Sequence, residues 1–140
     1  MRSRRRSGQR GATISEFALV GTVFFFFFVG LMQAGYLVFG LNAVTNGARE
    51  GARYGIATGN PQPACASSST GMTSAVNKST PGLGGVTISA ATGSTTFGAA
   101  TSTWCQVTVS WHFQLLGGAF GLPAMTFTST SRYYDNNDLS

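Results

Sequence analysis

Charged side chains are scarce in this chain, at 9% of 140 residues, with 9 Lys+Arg against 4 Asp+Glu; ordinary soluble domains carry about 25%. Although the formal net charge is +5, so few charges cannot furnish the basic face of a nucleic-acid-binding domain. Histidine occurs once and cysteine twice, with Cys65 and Cys105 far apart, which excludes a tetrahedral zinc site. Beyond the first 58 residues the acids are Asp135 and Asp138, in an Asn/Asp-rich tail. His112 therefore has no carboxylate and nucleophile to complete a catalytic triad. Gly82, Gly84 and Gly85 lack the lysine and the strand-turn-helix context of a phosphate-cradling loop. No enzyme, cofactor, metal, nucleic acid or small-molecule substrate is expected from these residues. The length sets one small domain as the ceiling.

What is abundant is local. Arg2, Arg4, Arg5, Arg6 and Arg10 hold five of the nine basic residues, and five of the 11 phenylalanines are consecutive at 24–28. No charge occurs in residues 17–41, and twenty-five residues at 1.5 Å rise give about 37 Å of helix against about 30 Å of hydrocarbon. A buried core helix is the alternative, but the rest of the chain is too small to surround so many Phe side chains. The arginine cluster on one flank, against Arg49 and Arg53 on the other, places the N-terminus in the cytoplasm and everything after the helix outside. A removable secretory signal fits less well. The apolar run exceeds an h-region of about 7 to 15 residues, Glu16 stands at its start, and no small-x-small cleavage site follows it.

The segment Gly11-Ala12-Thr13-Ile14-Ser15-Glu16-Phe17 joins the basic leader to the apolar run. It resembles the type IV prepilin cleavage motif, in the version with Glu followed by an aromatic that is similar to that of the tight-adherence (Tad, or Flp) pilus systems. The resemblance implies a prepilin peptidase cutting after Gly11, which makes Ala12 the new N-terminus. Glycine before the scissile bond leaves the backbone open to close approach. A carboxylate at the edge of hydrocarbon costs a few kcal/mol unless paired. The new amine of Ala12 lies one helical turn from Glu16, on the same face. In the family this carboxylate is thought to meet the amine of a neighbouring subunit during assembly, with Phe17 beside it. Standing alone, Glu16 would be a first-turn carboxylate favourable to the helix dipole.

The following stretch, Leu41-Asn42-Ala43-Val44-Thr45-Asn46-Gly47-Ala48-Arg49-Glu50-Gly51-Ala52-Arg53-Tyr54-Gly55, looks like the post-membrane segment of TadE-like minor pilins. Major pilins of these systems are much shorter, so a minor, TadE-type subunit is implied. It would work with other pilin subunits and the Tad assembly platform in the bacterial cytoplasmic membrane, in support of adhesion. A permanently anchored extracytoplasmic binding module is the alternative.

The periodicity then predicts an α+β protein. A leader at 1–11 precedes a long helix over 12–58, roughly 70 Å, with the membrane segment at about 17–41. An extracytoplasmic pilin-like head fills 59–140. Leu37, Leu41, Val44, Ala48, Ala52 and Ile56 recur at spacings of three and four, and Gly47, Gly51 and Gly55 form a ridge that permits close packing. Arg49 and Arg53 read as solvated residues or subunit contacts. Pro61 and Pro63 end the helix. Met72, Ala75 and Val76 suggest a short helix, and Val86, Ile88 and Ala90 a strand. Cys105, Val107, Val109, Trp111 and Phe113 alternate with Gln106, Thr108, Ser110 and His112, a clean period of two. A last strand over 124–134 turns Met125 and Phe127 inward, giving an antiparallel sheet of about three strands.

Outside the cytoplasm disulfides persist. A Cys65–Cys105 bridge would close a loop of about 40 residues and stabilise the head by roughly 3 to 4 kcal/mol in the loop-entropy model. The uncharged connector over 115–123 either tucks under the sheet or exposes Leu116, Phe120 and Leu122 as a partner-binding patch. Removal of residues 1–11 would leave four basic and four acidic side chains. The basic character thus belongs to the leader.

Overall fold

A computed structural model of the chain describes residues 7–57, 65–66, 69–98, 100–118, 121 and 123–135, the side chains of 7–12, 97, 100, 116 and 117 excepted. The elements are α1 (Ser7–Ala57), α2 (Thr70–Ser79), β1 (Val86–Phe97), β2 (Ala100–Phe113), a 3-10 turn (Leu115–Gly118) and β3 (Met125–Tyr134). This is the α+β layout anticipated from the sequence: one long apolar helix, one short helix and a three-stranded antiparallel sheet. Among the described residues α1 runs unbroken from Ser7 to Ala57. Two compact units divide it, Met1–Tyr36 and Leu37–Ser140.

In the second unit the strands follow one another as a meander, with β2 central. Val86 pairs with Trp111 and Phe97 with Ala100, so β1 and β2 are joined by a two-residue connection. Gly98 begins it at φ +65°, a left-handed value that glycine adopts without a Cβ clash. On the other side Trp104 pairs with Tyr134 and Phe113 with Met125. At one end of the sheet the Asp135 amide donates to the Thr103 carbonyl at 2.8 Å, and the buried Ser102 hydroxyl donates to the Asp135 main-chain oxygen at 2.7 Å.

The alternation in β2 decides where the core lies. Cys105, Val107, Val109, Trp111 and Phe113 are all buried. They pack with Val44, Ala48 and Ala52 of α1 and Met72 and Val76 of α2. Trp111 is flanked by Phe113 and Phe127, with ring centroids at 5.4 and 6.1 Å. Short α2 holds itself together locally: the Thr73 amide and hydroxyl both donate to the Ser69 carbonyl, at 3.0 and 3.1 Å. Pro81 follows directly on its C-cap, Thr80, as helix-stop chemistry requires.

One inward assignment, Met125, differs from the sequence pattern, and Leu41, which closes the expected membrane segment, stands off the buried face of α1. Leu41 is 38% exposed, because the buried face of α1 runs through Gly40, Ala43, Val44, Gly47, Ala48, Gly51, Ala52 and Gly55, and Leu41 stands about 100° round the helix from Gly40. Met125 is 58% exposed. It opens an edge strand, which has a neighbouring strand on one side only.

Candidate functional site

Two features stand out, one in each compact unit. In the first, α1 presents an apolar surface that no part of its own unit covers. Phe17 is 78% exposed and Phe24 to Phe28 lie between 52% and 66%. Large side chains point outward all round the helix, since Leu19, Val20, Val23, Phe25, Phe26 and Leu31 do so together. The stretch is long and apolar enough to cross a membrane. The Thr22 hydroxyl within it donates to the Ala18 carbonyl at 2.8 Å, the internal pairing that hydrocarbon demands of a hydroxyl.

Glu16 lies on the exposed surface beside Phe17 and carries the one acidic side chain of that unit. Gly11 and Ala12 fall within α1, so the Gly11–Ala12 peptide bond is helical. Ala12 precedes Glu16 by four residues, and their Cα atoms stand on one helix face.

The second feature is the seat of α1 on the head. Gly47, Gly51 and Gly55 are buried, and each faces a different part of the core. A Cβ on Gly47 would lie 2.9 Å from Thr80 Cγ2, and one on Gly51 would lie 2.8 Å from Val76 Cγ2 and 3.1 Å from Val107 Cγ1. One on Gly55 would run into Cys105 Sγ, with Cys65 Cβ at 3.0 Å. The glycines therefore set the distance between α1 and the elements beneath it. Gly40 does the same against Trp111, whose Cε3 would lie 2.8 Å from an added Cβ. Its signal was present in the sequence, since Gly40 continues the same face about two turns before Gly47. It was hidden because Gly40 falls inside the charge-free run.

Cys65 and Cys105 form the disulfide anticipated from the sequence, with Cα atoms 5.8 Å apart. Both are buried. The bridge ties the chain that leaves α1 to the middle of β2, directly beneath Gly55.

Arg53 donates from Nε to Glu50 Oε2 at 2.9 Å in an exposed pair one turn apart, worth at most about 0.5 kcal/mol. Arg49 is exposed and has no ion-pair partner among the described residues. Glu50, Arg53, Tyr54 and Lys78 line an open groove between α1 and α2. His112 lies on the outer sheet face, its Nδ1 2.9 Å from Thr126 Oγ1. Among the described residues no His, Cys, Asp and Glu side chains gather as a metal site. In the connector, Leu115 is exposed. Phe120 and Leu122 lie outside the described residues, as does the side chain of Leu116.

Residues 11–53 match the family model described as TadE-like protein. The match covers the proposed cleavage segment, the exposed apolar stretch and most of the glycine ridge, and is consistent with a TadE-like pilin of the Tad system. No curated protein and no solved structure is significantly similar to the chain.

Proposed function

We propose that this TadE-like chain is a minor pilin-like subunit of a Tad/Flp-type pilus assembly and secretion system. The observation that carries the reading is the exposed apolar surface of α1, headed by Glu16 and preceded by Gly11 within the matched segment. Surface of this extent in water is a liability; in a bilayer, or against the same helix of other subunits, it is the binding energy.

The basic leader stays in the cytoplasm and the head lies outside. A prepilin peptidase cuts after Gly11. Because the Gly11–Ala12 bond is helical, the peptidase has to open the first turns. Glycine lowers that cost by about 1 kcal/mol relative to alanine and leaves no side chain over the bond. Cleavage frees the Ala12 amine, which offsets the Glu16 charge in the low-dielectric setting where an unpaired carboxylate costs several kcal/mol. A subunit whose Glu16 meets a neighbour's amine is thus stabilised in the filament relative to the membrane. The glycine-spaced face of α1 keeps the head attached to the helix that is drawn in. Adhesion follows from carrying the head on the assembled fibre.

The N-terminal residue of the protein recovered from its native envelope tests the reading. Ala12 is expected; an intact Met1 leader would make the chain a permanently anchored module. Gly11→Val should block cleavage, whereas Glu16→Gln should leave cleavage intact and abolish assembly. Filaments formed normally by both variants would overturn the mechanism.

A further inference from the structure

The sheet has an outer face that the helices do not cover, and its chemistry is not uniform. The exposed or half-exposed residues form rows across the three strands: Gly93, Trp104 and Tyr134; Ala91, Gln106 and Arg132; Ser89, Thr108 and Thr130; Thr87, Ser110 and Thr128. Arg132 is the one charged residue in these rows. Its guanidinium carbon sits 4.2 Å from the centre of the Trp104 ring. Nε and Nη2 both donate to Gln106 Oε1, at 3.0 and 2.5 Å. The indole in turn lies across Gly93, where an added Cβ would be 2.7 Å from Trp104 Cε2. A stacked ring, a fixed amide and a glycine that makes room hold the arginine in one pose.

That pose leaves a definite set of donors free. Of the five guanidinium N–H groups, Nε–H and one on Nη2 are used. The second on Nη2 and both on Nη1 remain, and they form the end-on fork that matches a carboxylate bidentately. Arg132 has no carboxylate partner among the described residues. Holding a guanidinium fixed beforehand removes much of the side-chain entropy cost of binding.

Next to this fork runs a file of paired hydroxyls. Thr108 and Thr130 meet at 3.0 Å and Ser110 and Thr128 at 3.1 Å. Each pair spends one proton between its oxygens, leaving one donor and several lone pairs to face outward. Successive rows are about 6.8 Å apart along the strands. The face therefore offers one fixed cation followed by neutral donor-acceptor groups in a line.

We propose that this outer face is a binding surface for an acidic polysaccharide, with a uronate-type carboxylate on the Arg132 fork and sugar hydroxyls on the Thr108–Thr130 and Ser110–Thr128 pairs. A sugar chain fits the complement better than an acidic peptide does, because the groups beside the cation are hydroxyls able both to donate and to accept. The surface belongs to the head whether or not the leader is removed, so the proposal stands independently of processing.

The test uses the full-length chain in detergent micelles at 0.15 M salt, where charges beyond about 8 Å are screened, with polygalacturonate as the probe. Wild type is expected to bind it, and Arg132→Gln to lose at least about tenfold in affinity, the usual size of a charge-assisted hydrogen bond. Thr108→Val with Thr130→Val should lose severalfold. Arg49→Gln, on α1, should bind as wild type. If Arg132→Gln fails to fold by near-UV circular dichroism, Arg132→Lys carries the test, since it keeps the charge and loses the fork. Four results would each overturn the proposal: no binding by wild type, full affinity in the Arg132 variant that is tested, an equal loss in Arg49→Gln, or equally tight binding of polyglutamate.

Discussion

Replacing Gly55 by alanine sets two opposing effects against each other at one atom. In a helix interior alanine is favoured over glycine by about 1 kcal/mol. The new methyl group, however, would occupy space already held by Cys105 Sγ, with Cys65 Cβ at 3.0 Å and Cys105 Cβ at 3.3 Å. A flexible side chain could swing aside. These atoms cannot, because they belong to one covalent bridge whose two residues are 3% and 0% exposed. Overpacking of a closed core costs typically about 1–3 kcal/mol, and the rigid neighbour puts this case in the upper part of that range. The net expectation is a loss of about 1–2 kcal/mol. Urea titration of the full-length chain in micelles measures it, followed by intrinsic fluorescence. Both tryptophans, Trp104 and Trp111, lie in β2, so the signal reports the head. The same substitution in a Cys65→Ala, Cys105→Ala background removes the nearest atom, and there the cost should shrink by about 1 kcal/mol or more, a coupling that a double-mutant cycle isolates. Equal effects in both backgrounds, or a more stable oxidised Gly55→Ala protein, would refute the reasoning.

The other expectations can be measured in the same preparation. Cys65→Ala with Cys105→Ala should lower head stability by about 4 kcal/mol in the loop-entropy model, given the sequence separation of 40; a dithiol reductant at the wild-type urea midpoint should produce the same shift. Met72→Ala, at a position with 0% exposure, should cost about 2–5 kcal/mol, read as a lower urea midpoint. Gly40→Ala drives a methyl group into the Trp111 ring; the overpacking cost of about 1–3 kcal/mol, less the roughly 1 kcal/mol alanine gains in a helix, leaves a net loss of up to about 2 kcal/mol, accompanied by a changed near-ultraviolet circular dichroism band.

Much of the fold could be read in the sequence wherever one physical pattern dominated. The period of two from Cys105 to Phe113 has only one core-facing solution, and all five inward residues are buried. The charge-free run and its phenylalanines left little besides an exposed membrane-length helix. The failures came where two patterns overlap. Leu41 lies at the end of the apolar run, and apolarity alone cannot say whether its neighbour will be core, lipid or water. The small residues carried the truer signal, since the buried face of α1 is made of Gly and Ala with Val44 alone as a larger member. Met125 shows the limit at an edge strand: alternation gives the direction of a side chain but not whether anything lies there to cover it. The outer sheet face left the weakest trace, because Arg132, Gln106, Trp104 and Gly93 are brought together by register across three strands.

Side-chain size along α1 explains why one helix serves two kinds of contact. From Gly40 onward its buried face is built of residues no larger than valine, so the backbone can come close enough for α2 and β2 to seal against it and exclude water. Before that point the same geometry carries phenylalanines in every direction, with exposures above 50% from Phe24 to Phe28. A sheet of three strands buries one face of a helix, not its whole circumference. A helix apolar all round must therefore be covered by something outside its own chain, and lipid and other copies of the same helix are the two coverings without polar groups to desolvate. Exchange of one for the other changes little apolar burial, so in the assembly proposed above the hydrophobic effect does not by itself drive subunits out of the bilayer. On that proposal the directional term has to be polar, and Glu16 is the one carboxylate before Gly40 to supply it.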